Sequence, residues 1–158
     1  MIRITREDDT EALLAIATGT AVFKPIEIEA LQGVLDEYHE TNHELQHRAI
    51  TYELDGKPVG FAYYAPIEMT DRTWTLYWIC VDKSIHAKGI GTKLLHYAEQ
   101  DIASMNGRIF LIETSHLPSY EPTRKFYSKH GYDLEGTIRD YYSEGDNMVI
   151  FRKQLQSK

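Results

Sequence analysis

The chain has 158 residues, 42% of them hydrophobic and 26% charged, an ordinary balance for one globular domain. Such a length buries roughly 70% of the unfolded surface, so folding needs neither a disulfide nor a metal. A formal net charge of −7, with no Lys/Arg-rich run, argues against a nucleic-acid platform or an anionic membrane surface and fits a cationic or amine-bearing partner.

In chain order, residues 2–6 alternate like a short strand. Asp8 or Asp9 then caps a helix through Thr18, with Leu13, Leu14 and Ala17 on one face. Pro25 opens a second helix, 26 to about 41, in which Ile28, Leu31, Leu35 and Tyr38 recur at helical spacing. Residues 48–54 alternate as a strand, Asp55-Gly56 turns it, and 59–64 returns as its hairpin partner. Residues 73–81 form a third strand rich in aromatic and β-branched side chains, and 89–106 a helix with Leu94, Leu95, Ala98 and Ile102 on one face. A buried strand at 108–114, a short helix at 123–130 ended by Gly131, and strands at 132–140 and 147–152 complete the order β-α-α-β-β-β-α-β-α-β-β. There is no repeat and no linker, so residues 1–158 read as a single domain: one mixed sheet with helices on its faces. The strand–helix–strand unit from 73 to 114 must be parallel and right-handed, and a ligand crevice is expected at its strand ends.

Between the third strand and its helix stands His86-Ala87-Lys88-Gly89-Ile90-Gly91-Thr92. Two glycines at a helix start let backbone N–H groups approach an anion without Cβ interference. The first N–H groups of a helix have no internal partners, and the macrodipole adds positive potential, so a phosphate is the natural occupant. Gly91-Thr92-Lys93 has the wrong order for a Walker A loop, and Leu94 stands where a dinucleotide fingerprint needs its third glycine.

This stretch resembles the GNAT superfamily of N-acetyltransferases, whose motif is Gln/Arg-x-x-Gly-x-Gly/Ala after a strand; His86 stands at its first position. The resemblance spans residues 2–153 and is specific from Trp74 onward. It implies an α/β (α+β) acyl-CoA N-acyltransferase fold: a single mixed, mostly antiparallel central sheet with a splayed parallel strand pair and helices on both faces. It also implies acetyl-CoA as co-substrate, its pyrophosphate on the amides of Lys88, Gly89, Ile90, Gly91 and Thr92, and its pantetheine bonded to main chain near Ile79 and Val81. A dimer is a further expectation of that family.

Acetyl transfer from a thioester to an amine poses two proton problems. An aliphatic amine of pKa ~10 must lose a proton before attack, and a thiolate of pKa ~8.5 should gain one on leaving. The segment 120–132, with Phe126-Tyr127 ahead of Gly131-Tyr132, resembles the family's second signature, which makes Tyr127 the general acid. Tyr120 occupies the place, seven residues earlier, where such families often carry a cofactor-contacting Asn. Glu113 follows four apolar residues at a strand end, where it is either the first solvated residue or a base at the crevice; it matches the base position of ribosomal-protein N-terminal acetyltransferases. His116 is a second candidate base. In the segment 140–153, which resembles the family's closing hairpin, Tyr141 and Tyr142 read as an apolar wall of the acceptor site and Glu144 and Asp146 as attractors of an ammonium group, or the loop is simply a solvated turn.

Three features have plainer readings. Cys80 is the only cysteine; within an apolar run it reads as a small buried hydrophobe rather than a nucleophile. His43-Glu44-Leu45-Gln46-His47 spells the zinc-protease motif, but the strand pattern begins directly after His47, so no long helix can carry the pair, and no metal is expected. Residues 1–6 lack an apolar signal core and no window approaches a membrane span, which makes a cytoplasmic location the expectation. The expected activity is thus direct acetyl transfer from acetyl-CoA to a primary amine in a ternary complex; the rival from another class is a non-catalytic acyl-CoA-binding sensor or interaction module.

Overall fold

A computed structural model describes residues 1–85 and 88–155. Among them run strands β1 (Ile2–Ile4), β2 (Arg48–Leu54), β3 (Lys57–Pro66), β4 (Thr73–Val81), β5 (Ile109–Ser115), β6 (Asp133–Ser143) and β7 (Asp146–Gln154). The helices are α1 (Thr10–Gly19), α2 (Pro25–Glu40), α3 (Ile90–Ser104) and α4 (Glu121–Lys129). The chain order is the one expected from the sequence. All seven strands form one mixed sheet in the order β1-β2-β3-β4-β5-β7-β6, in which β4 and β5 are parallel, pairing Thr73 with Ile109 through Leu76 with Ile112.

Several boundaries moved for local reasons. Strand β1 stops early because the Arg6 N–H turns to the Asp9 carboxylate at 2.7 Å, opening a 3₁₀ turn before α1. Asp9 does precede α1, yet makes no side-chain cap to it; its oxygens face Arg3 at 2.7 and 2.9 Å. Helix α4 begins at Glu121, with Pro122 in its first turn where a missing N–H costs nothing. The Asp55-Gly56 turn has φ of 52° and 78°, the doubly positive pair that suits the right-handed twist of a two-residue hairpin.

By internal contacts the chain divides into two compact units. The first comprises Met1–Pro66 and Tyr77–Asp101. Its β3 is covered on both faces. Phe61 packs with Leu13, Leu31, Leu35 and Cys80 on the α1–α2 side. Gly60 points the other way, where an added Cβ would lie 3.1 Å from the Cys80 carbonyl and 3.2 Å from both Ile90 and Leu94. On that side Tyr64 donates to Asp101 of α3 at 2.7 Å, and Arg48 grips the same carboxylate at 2.9 and 3.1 Å.

The second unit comprises Ile67–Leu76 and Ile102–Lys158. Here Gly107 allows the chain to double back after α3; a Cβ there would meet Ile102. Strands β5, β7 and β6 pair antiparallel, and the last ladder is interrupted: Ile138 faces Met148 and the next pair is Ser143 with Asp146. The intervening residues of β6, Tyr141 and Tyr142 among them, therefore bulge from the ladder. No described helix is long and apolar enough to cross a membrane.

Candidate active site

In the first unit, β4 leads into a tight turn. The Asp82 N–H donates to the Val59 carbonyl at 2.7 Å, and the Asp82 carboxylate accepts from the Ser84 N–H at 2.9 Å and hydroxyl at 2.8 Å, which together hold it below the usual carboxylate range. His86 and Ala87 lie outside the described residues, and with them the departure from the family motif. Gly89 then adopts φ +64° with nothing near its Cβ position, and its carbonyl accepts the Lys93 N–H at 3.0 Å. Gly89 is thus the cap of α3, and the left-handed backbone that only glycine adopts cheaply sets the first-turn amides at the end of β4. Ile90 is buried while Lys88 and Gly89 are exposed, so the backbone of this turn borders solvent. Ile79 and Val81, expected to offer main-chain groups, are half-buried on the same half of β4.

Sequence reading missed Gly60. It lets Ile90 and Leu94 close on β3, the close helix–strand approach that a dinucleotide fingerprint assigns to its own third glycine. An isolated glycine inside a strand pattern was the available signal. Also missed was a break in the alternation of β4. Tyr77 contacts Tyr63, while its successor Trp78 packs against the clusters holding Phe61 and Tyr63, so two consecutive side chains address the α1–α2 side. Cys80 is 4% exposed, and burial pushes its thiol up to about 12, which leaves it a packing residue.

In the second unit, Tyr127 is 4% exposed near the end of α4. Its ring lies 5.5 Å from Phe126, 6.0 Å from Tyr132 and 5.7 Å from Phe151. Its carbonyl accepts the Tyr132 N–H at 3.1 Å, which ties the helix end to the Gly131 turn. Glu113 is exposed on β5 opposite Ile150. Glu113, Asp146, Tyr120, Tyr141 and Tyr142 share one neighbourhood. Burial first, then the charge of Glu113, then Tyr141, Asp146 and Tyr120 raise the Tyr142 hydroxyl above its ordinary pKa. Tyr141 and Tyr142 stack edge-to-face at 5.0 Å. Asp146, read from sequence as an ammonium attractor or turn residue, is buried and accepts the Ser115 hydroxyl at 2.5 Å, while Glu144 is exposed. His116 is exposed, with its N–H on the Asn147 carbonyl at 2.9 Å.

The His43…His47 motif does not form a metal-binding helix face. Residues Asn42–Leu45 make a 3₁₀ turn, Gln46 is left-handed at φ 68°, and the rings bond separately: His43 Nδ1 to the Tyr38 carbonyl at 2.7 Å, His47 Nδ1 to the Tyr63 hydroxyl at 2.6 Å.

Residues 46–134 match the family model of the acetyltransferase (GNAT) domain. The chain belongs to the GNAT acetyltransferase family. Among solved structures, a GNAT-family protein from Desulfovibrio desulfuricans is 28% identical with a TM-score of 0.94, covering 99% of either chain. The ribosomal-protein-alanine N-acetyltransferase of Brucella melitensis is 20% identical with a TM-score of 0.81, covering 98% of this chain and 99% of its own. An aminoglycoside 6′-N-acetyltransferase solved with coenzyme A is 18% identical with a TM-score of 0.78, over 100% of this chain and 98% of its own. The last two share the fold with this GNAT protein. Among curated proteins, none matches it.

Proposed function

We propose that the whole chain acts as one acetyl-CoA-dependent N-acetyltransferase domain, moving an acetyl group to a primary amine by direct attack in a ternary complex. The observation that carries this is the Gly89-capped start of α3 at the end of β4, inside a chain that belongs to the GNAT family. The amides of Lys88 to Thr92 receive the pyrophosphate, and main chain near Ile79 and Val81 guides the pantetheine. No metal is assigned a role.

Glu113 takes a proton from the ammonium form of the acceptor, directly or through water. The neutral nitrogen attacks the thioester carbonyl, the new C–N bond forms, and the C–S bond breaks. Tyr127 gives its proton to the departing thiolate and regains one from solvent or the amine. The aromatic packing around Tyr127 suits this, since few alternative positions are open to its hydroxyl. That same burial favours one rival, an acyl-CoA-binding module in which Tyr127 is a packing residue. Screening CoA release against an amine library that includes free N-terminal peptides tests the proposal. Release with at least one amine supports it; tight acetyl-CoA binding with no release across the library selects the rival.

A further inference from the structure

Residues 116–120 join the end of β5 to the start of α4 through a 3₁₀ turn at Pro118–Tyr120. A surface connection ordinarily leaves the elements on either side some freedom. Here it is held by side chains from three elements. The buried Ser115 hydroxyl donates to the Asp146 carboxylate at the start of β7 at 2.5 Å and accepts the Leu117 N–H at 3.0 Å. Arg124, half-buried on α4, reaches back over the same connection. Its Nη1 donates to the Ser115 carbonyl at 2.9 Å and to the Leu117 carbonyl at 2.8 Å. A charged donor makes such bonds stronger than a neutral one does.

This junction stands between the two groups assigned to chemistry. Glu113 lies two residues before Ser115, on the same face of β5. Tyr127 lies three residues after Arg124, about one turn further along α4. The circuit closes through β7, where the Phe151 ring lies 5.7 Å from that of Tyr127 and Asp146 holds Ser115. The amine must lose a proton and the departing sulfur must gain one around a single carbonyl carbon, so base and acid need a fixed separation. A misplacement of about 1 Å costs up to about a hundredfold in rate.

We propose that Arg124 is a positioning residue which, with Ser115 and Asp146, locks α4 to the end of β5 and thereby fixes Tyr127 relative to Glu113. This rests on the acetyltransferase reading above, with Tyr127 as its acid. Both carbonyl bonds come from one nitrogen. A lysine ammonium, with three donors, can therefore replace the guanidinium, and an uncharged side chain of similar length cannot.

The test is steady-state CoA release, with an amine found in the library screen, for Arg124→Met, Arg124→Lys and Ser115→Ala. Each is made in wild type and in Tyr127→Phe, with acetyl-CoA affinity and thermal melting as controls for folding. Arg124→Met should lower kcat about ten- to thirtyfold while acetyl-CoA affinity changes less than about twofold. Ser115→Ala should lower kcat about three- to tenfold, and Arg124→Lys should keep most of the wild-type rate. In Tyr127→Phe, Arg124→Met should cost less than about twofold more, because the group it positions is already gone. A merely structural role would instead lower the rate by the same factor in both backgrounds. That result overturns the proposal, as does wild-type kcat in Arg124→Met or an Arg124→Lys variant as slow as Arg124→Met. Wild-type turnover in Tyr127→Phe removes the acid reading and the positioning role with it, whereas a slow Tyr127→Phe with a full further loss from Arg124→Met sinks the positioning role alone.

Discussion

The two compact units handle polar groups in opposite ways. In the first, the candidate ligand contacts are backbone amides set by Gly89, and two charged pairs, Arg3 with Asp9 and Arg48 with Asp101, satisfy each other. In the second, the candidate chemistry sits on side chains, a tyrosine packed among rings and an exposed carboxylate. Backbone-made sites tolerate side-chain replacement but not replacement of the glycine. Side-chain-made sites fail at one functional group. Binding and chemistry should therefore separate cleanly by mutation.

The largest effect is expected from Gly89→Glu. Its left-handed φ strains any other residue, and the added carboxylate repels a pyrophosphate. Acetyl-CoA affinity measured by calorimetry should fall by about a hundredfold or more, and unaltered affinity would remove the cradle assignment. Next is Tyr127→Phe, which should lower kcat about a hundredfold while acetyl-CoA affinity changes less than about twofold. Wild-type turnover in that variant would take Tyr127 out of the mechanism, and a parallel loss of affinity would erase the contrast between the units.

A smaller effect concerns stability of the first unit. Burial alone would raise the Asp9 carboxyl, but the Arg3 guanidinium and the Arg6 N–H outweigh it and bring it below 3.8. A carboxylate depressed by folding contributes stability that is fully present above its unfolded pKa and is lost as pH falls through the folded value. Urea unfolding should accordingly show wild type more stable than Asp9→Asn by about 2 kcal/mol at pH 6. The gap should shrink as pH drops below 3.8; a gap independent of pH would show that the ion pair is not its source. The smallest effect belongs to Cys80→Ala, which should cost about 1 kcal/mol and leave turnover intact. Loss of activity there would revive the nucleophile reading.

The bounds of the strands Arg48–Leu54 and Thr73–Val81 were legible residue for residue, because their β-branched and aromatic content stands out from the turn residues that flank them. The start of α4 was not, because Pro122 looks like a breaker when read alone yet fits a first helical turn. Within the candidate site, Gly89 and Tyr127 were visible as motif positions. Asp146 was misleading: next to a glycine turn it reads as solvated, and only the β5–β7 register puts Ser115 where its hydroxyl can take up the carboxylate. The tyrosines of the closing hairpin were visible as residues, but their bulge follows from a four-against-one mismatch in the β6–β7 ladder that no local pattern announces.

By itself, then, the sequence determined the order of elements, the hairpins and the glycine turn, since these follow from local periodicity and from the backbone conformations that particular residues permit. Only the tertiary structure decided which polar groups are committed to one another and which face solvent. It paired Asp9 with Arg3, Asp101 with Arg48 and Tyr64, and His47 with Tyr63, and it left Glu113, Glu37 and Tyr77 exposed. Those outcomes depend on partners 6 to 53 residues apart in the chain, brought together by sheet register and helix packing rather than by any neighbour in sequence.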